Sequence, residues 1–240
     1  MHPAKKSPHP ESGNILIYIL GAIFLLGILV VMVKGSSTPG SNIDEEALMI
    51  RVAEVQEYGA ELESAVALIL SNGFSETDIR FAHPNAPSAY GVITDTPERQ
   101  VFSRSGGGAT YRENPGNIQT VNTSWVFTGN NHVHGVGTSS CGPPTCIDLV
   151  AILPYVSQSF CDMINKKNNT LTSTGNSPQD CGSVDIATPF TGTYTNSNQI
   201  LDGAGCGQEE VLLGKSEGCF EGQGSPAAGT YHYYRVLHAR

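Results

Sequence analysis

Charge is scarce in this chain. Only 15% of its 240 residues are Asp, Glu, Lys or Arg, against Gly 27 and Pro 14. That balance argues against long charged helices and for turns and short strands. Cations are scarcer than anions, 13 against 22, giving a formal net charge of -9. With no basic patch to offset that sign, nucleic acid and anionic lipid surfaces are not expected as partners. His-Glu-x-x-His does not occur, so the commonest helical zinc-protease pattern is excluded. Cysteine is missing before Cys141.

Charge and proline are both absent from Ile15 to Val33, where nineteen residues read ILIYILGAIFLLGILVVMV. At about 1.5 Å of rise per residue such a helix covers roughly the hydrocarbon core of a bilayer. It offers no polar face to water. A transmembrane helix is therefore predicted over 14–34. Lys5 and Lys6 are the only Lys or Arg residues ahead of it, and Lys34 follows it within reach of the headgroups. The positive-inside rule then gives a single-pass inner-membrane protein, its amino terminus cytoplasmic and its carboxyl-terminal domain periplasmic or extracellular. The apolar run is too long for a cleavable secretory signal and ends without an Ala-x-Ala-like site.

A short basic leader, Met1 to Gly13, followed at once by this apolar run resembles the amino terminus of type IV pilins and pseudopilins. The resemblance covers roughly the first seventy residues. It implies that a prepilin peptidase cuts between Gly13 and Asn14, leaving Asn14 as the first residue of the mature chain. Membrane lipid and other pilin-like subunits are the further partners it implies. The fifth mature residue, usually glutamate in the family, is Tyr18 here, a departure shared with some minor pilins and pseudopilins. The implied function is a structural subunit, a minor pilin or pseudopilin, of a type IV pilus or type II secretion-type filament. The alternative is a membrane-anchored periplasmic or cell-surface binding module, neither processed nor polymerised, whose loops recognise a glycan or protein.

Gly35 to Asn42 carries glycines, a proline and Ser/Thr residues and reads as a flexible linker over 35–42. The exported domain is then 43–240. Asn42 is a candidate N-cap with Asp44, Glu45 and Glu46 in the first turn behind it. Leu48, Val55, Leu62 and Ile69 recur every seven residues beside Val52 and Val66, drawing one apolar stripe that ends at Ser71-Asn72-Gly73. Gly59 falls on that seam, which favours packing on a sheet over a coiled coil. A second helix is expected over Asp148 to Asn165, with a bend or late start at Pro154.

Elsewhere strands and turns are expected: 90–94, 100–103, 118–128, 190–194, 210–213, 218–220 and a long final strand over 229–238. The final strand is apolar on both faces, which suits a central position. Thr170 to Asp180 reads as a solvated loop. The expected fold is α+β, pilin-like and disulfide-stabilised: a transmembrane helix, then an amphipathic helix packed on an antiparallel sheet.

Cys141, Cys146, Cys161, Cys181, Cys206 and Cys219 all lie in the exported part, where an even number suggests three disulfides. Their spacing leaves the connectivity open. A pairing of Cys141 with Cys146, Cys206 with Cys219 and Cys161 with Cys181 closes the most local loops. Zinc on Cys141, Cys146, Cys161 and Cys181 is the weaker reading.

His132 and His134, two apart on a strand, could begin a metal site with His83 or His232 as a third ligand, but an exposed edge pair is the plainer reading. Gly214-Lys-Ser-Glu-Gly218 matches Gly-x-Ser-x-Gly around Ser216 but lacks the helix that a nucleophile elbow needs. Ser105-Gly-Gly-Gly-Ala109 lacks the Lys-Ser/Thr of a phosphate loop and reads as a flexible loop. Neither enzyme activity, nor a metal, nor a cofactor is expected.

Overall fold

The computed structural model describes residues 18–25, 39–113, 117–137, 146–195, 198–200 and 209–240. The chain divides into two compact units, Met1–Ala47 and Leu48–Arg240. In the first, residues 18–25 are helical with every side chain exposed. Gly13, Asn14 and the remainder of the expected 14–34 span lie outside the described residues. Among the described residues no helix is long and apolar enough to cross a membrane, which overturns the transmembrane helix as an element of the fold. Helix α1 (Pro39–Ser71) starts inside the expected linker rather than at Asn42. Proline at a first helical position loses no hydrogen bond and has its φ already set.

From Leu48 onward α1 belongs to the second unit. Val52, Val55, Leu62, Val66 and Ile69 of the expected stripe are buried, joined by Tyr58 and Ala65, while Leu48 is partly buried. Burying six large apolar side chains contributes on the order of 10 kcal/mol before chain entropy is subtracted. Gly59 lets the helix approach the sheet closely, because a Cβ there would sit 3.2 Å from the Tyr233 hydroxyl and 3.3 Å from Arg235 Cγ. Arg235 answers with ion pairs to Glu63 at 2.6 Å and Glu217 at 2.9 Å.

The expected helix over Asp148 to Asn165 is instead strand β2 (Asp148–Val156) followed by helix α2 (Gln158–Asn168). An uninterrupted apolar run fits a strand buried on both faces as well as a buried helix, and Pro154 tips it to the strand. Ser157 caps α2 through its hydroxyl, which accepts the Phe160 N–H at 3.3 Å.

The other strands are β1 (Val126–Val133), β3 (Asn198–Ile200), β4 (Glu217–Glu221) and β5 (Tyr231–His238), in the order β3-β1-β2-β5-β4. The sheet is mixed, not antiparallel as expected, because β3 runs parallel to β1. Its two edges meet a common segment: Asp180 N–H donates to Glu221 O at 2.8 Å, Val184 N–H to Ser225 O at 2.8 Å, and Gln199 N–H to Ser183 O at 2.9 Å. The sheet curls because one strip of chain serves both edges, which also hides them from edge-to-edge pairing.

Side chains alternate across the central strands. Leu149, Ala151, Leu153, Tyr233 and Leu237 share one core with α1, whereas Val150, Ile152, Tyr234 and Val236 share a second with Val184, Ile200, Leu212 and Phe220. Trp125, just ahead of β1, packs edge-on against Tyr58 and Tyr233 at 5.3 Å and 5.9 Å.

Four expected strands do not form. Around 90–103 short 3-10 turns at Ser88–Tyr90 and Pro97–Arg99 take their place. Buried Gln100 does the work of a strand partner there, accepting Ala82 N–H at 3.1 Å and donating to Val92 O at 3.3 Å and Asp95 O at 2.8 Å. Residues 190–194 and 210–213 lie outside the sheet. Strand β1 runs on through Gly129 to Asn131, where Gly129 admits the Phe190 ring that a Cβ would meet at 2.7 Å. The 105–109 loop is packed on α1, with a Cβ on Gly107 falling 2.8 Å from Ala65 Cβ.

Candidate functional site

Helix α2 and strand β4 are joined at one residue. Cys161 is disulfide-bonded to Cys219, which replaces both the Cys161 to Cys181 and the Cys206 to Cys219 pairing. Cys146 and Cys181 are each held in a disulfide as well, and Cys141 and Cys206 lie outside the described residues. One turn along α2, buried Asn165 donates to Cys219 O at 2.8 Å and accepts Cys219 N–H at 3.1 Å. Its amide also donates to Ser177 Oγ at 3.1 Å, and its Oδ1 accepts from the Thr170 hydroxyl at 3.0 Å.

Beside this junction a groove of about 550 Å³ opens between the 172–179 loop, the start of α2 and the ends of β4 and β5. Its walls carry Gln158, Thr172, Thr174, Asn176, Ser177, Gln179, Glu209, Glu221 and Tyr231. The loop folds on itself: Thr172 Oγ1 donates to Asn176 O at 3.1 Å, and Asn176 Nδ2 donates to Thr174 Oγ1 at 3.2 Å. Ser177 donates to Asp162 at 2.6 Å, and Gln179 donates to Glu221 at 3.2 Å. Glu209 accepts from the N–H and hydroxyl of Ser173. Burial, with the carboxylates of Glu221 and Asp162 nearby, holds the Tyr231 phenol above its ordinary pKa, so it stays a protonated donor. The only trace of this groove in the sequence is the hydroxyl- and amide-rich run from Thr170 to Ser177, which reads as a solvated loop.

The histidines and the serine weighed in the sequence lie in separate places. His132 is buried, not exposed at an edge; its Nδ1 donates to Cys146 O at 2.7 Å and lies 3.7 Å from Asp148. The Asp148 carboxylate, helped by that carbonyl, holds His132 above its usual pKa against the opposing pull of burial. His134 stands edge-on to it at 6.5 Å. His83 stacks on Tyr111 at 4.4 Å, and His232 is bonded to Thr230 at 2.7 Å. Among the described residues no three His, Cys, Asp or Glu are grouped to hold a metal ion. Ser216 is exposed at the entry to β4, while His238 pairs with Glu76 at 3.3 Å.

No family model, no curated protein and no solved structure matches the chain.

Proposed function

We propose that the chain is a pilin-like structural subunit, a minor pilin or pseudopilin of a type IV pilus or type II secretion-type filament, with no catalytic step of its own. The observation that carries this reading is α1, whose stripe from Val52 to Ile69 is buried in the domain core behind an apolar sequence run at 15–33. An amino-terminal helix that packs its later turns into an α+β head is the arrangement a filament needs, since the head then rides on the segment that contacts other subunits. The partners are a prepilin peptidase acting at Gly13 and Asn14, membrane lipid and other pilin-like subunits, and the place before assembly is the inner membrane. A second reading, an unprocessed surface or periplasmic binding module, is favoured by the groove beside Tyr231.

Mass spectrometry of the chain extracted from cells with and without a prepilin peptidase separates the two. A chain that begins at Asn14 only when the peptidase is present supports the subunit. An intact Met1 to Gly13 leader in both cells overturns it.

A further inference from the structure

The groove beside the Cys161–Cys219 junction has a composition that selects its ligand. Among the described residues nine line it and none of these is Lys, Arg or His, while Glu209 and Glu221 are among them. A carboxylate or phosphate ligand would meet two anions with no compensating cation. Thr172, Thr174, Asn176 and Gln179 supply hydroxyl and amide groups that both donate and accept. A ligand that does the same along its whole length, such as a polyol, matches them; one with only donors or only acceptors does not.

Tyr231 adds a half-buried ring next to Glu221, its partner across the β4–β5 pair. Aromatic faces cover the apolar C–H side of a sugar ring, and carboxylates accept from adjacent ring hydroxyls. The volume of about 550 Å³ lies within the roughly 300–1,000 Å³ of small-molecule sites and suits two or three hexose units. The walls are also preset. Gln179 holds Glu221 at 3.2 Å, Asp162 holds Ser177 at 2.6 Å, and the disulfide fixes α2 to β4 beneath them. Such fixed groups lower the ordering cost of binding.

We propose that this groove binds a neutral oligosaccharide of two or three hexose units, with Tyr231 as the stacking platform and Glu221 and Gln179 as the hydroxyl readers. The proposal rests on the groove alone and stands under either reading of the chain, because leader cleavage and sugar binding are read by separate measurements.

The test uses the full chain in detergent, titrated by saturation-transfer NMR and calorimetry with maltotriose, chitotriose, lactose and 3′-sialyllactose. At least one neutral sugar is expected to saturate at roughly millimolar concentration, with Tyr231→Ala and Glu221→Gln weakening it about tenfold or more and Tyr231→Phe retaining it. Lactose is expected to bind at least as well as its sialylated form. Exposed Gln158→Ala and Thr174→Ala serve as second variants that leave the core untouched and are expected to weaken binding severalfold. Binding of none of the neutral sugars, binding only of 3′-sialyllactose, or binding indifferent to all four weakening substitutions would overturn the proposal.

Discussion

Asn165 pairs with both backbone groups of Cys219, donating to its carbonyl at 2.8 Å and accepting its N–H at 3.1 Å. A side-chain amide has the donor and acceptor spacing of a peptide unit, so Asn165 stands in for a strand neighbour that β4 lacks at that point. Asn131 does the same for Asp185, donating to its carbonyl and accepting its N–H, both at 2.8 Å. Buried polar side chains thus pair backbone groups that no neighbouring strand reaches.

Replacing Asn165 with Ala leaves the Cys219 N–H and carbonyl buried and without these partners. The expected cost is about 2–4 kcal/mol, from two orphaned backbone groups at roughly 1–3 kcal/mol each offset by relaxation. Urea unfolding of the oxidised protein should show a lower midpoint at unchanged slope. A variant within about 0.5 kcal/mol of the wild type would show that water replaces the amide.

The disulfide acts on the same residue by a different route. Cys161 and Cys219 are separated by 58 residues, and closing a loop of that length stabilises by about 4 kcal/mol in the chain-entropy account. Cys161→Ser with Cys219→Ser should cost about that much. Because Asn165 and Cys161 grip one residue, Asn165→Ala should cost less in the disulfide-free background than alone, a coupling that a double-mutant cycle reads directly. Strict additivity would mean that the two contacts hold β4 independently.

What the sequence disclosed and what it hid divide along physical lines. The α1 stripe was legible because one face is apolar and the other is not, and Gly59 was legible as the residue that spoils a coiled coil. The central final strand was legible from its two apolar faces, and β5 does lie between β2 and β4. By contrast, the run Asp148 to Val156 has no period to read, since both of its faces are covered. The parallel β3 and the shared edge strip depend on contacts between distant segments, which no local pattern records. The groove was hidden for the same reason: Thr174, Glu221 and Tyr231 are ordinary surface residues until the fold brings them together.

His232 should make the fold sensitive to acid. It is fully buried, its Nδ1 accepts the Tyr155 N–H at 3.4 Å, and its Nε2 bonds Thr230 at 2.7 Å. That N–H is available because β2 bulges at Pro154 and Tyr155, the latter at φ 55. Burial pushes the His232 pKa down to about 4, so the folded chain holds it neutral while the unfolded chain protonates near pH 6.5. Its contribution is complete above about pH 6.5 and is lost as pH falls toward 4, by roughly 3 kcal/mol. His132, held above its usual value beside Asp148, has the opposite sign: its contribution is present below about pH 6.5 and is lost as pH rises through its folded pKa. Urea melts between pH 4 and 6.5 should therefore show stability rising with pH, with a smaller slope in His232→Gln. An unchanged slope in that variant would assign the acid response to other groups.

Arg240 is tied to the core through its backbone N–H. Fully buried Asp148 accepts Val133 N–H at 2.8 Å and Arg240 N–H at 3.1 Å, so Arg240 helps to satisfy a carboxylate that water does not reach. Arg240 also pairs with Glu76 at 2.9 Å and lies 4.3 Å over the Tyr194 ring. Removing Ala239 and Arg240 deprives Asp148 of one donor and should cost about 1–3 kcal/mol, read as a lower urea midpoint with a native-like fold. Removing Tyr231 to Arg240 deletes a strand hydrogen-bonded on both sides, together with buried Tyr233, Tyr234 and Val236, and should abolish folding. Limited proteolysis separates the cases, since the shorter truncation should keep a resistant domain and the longer one should be digested throughout. A resistant domain after the longer cut would show that β2 and β4 close without the strand between them.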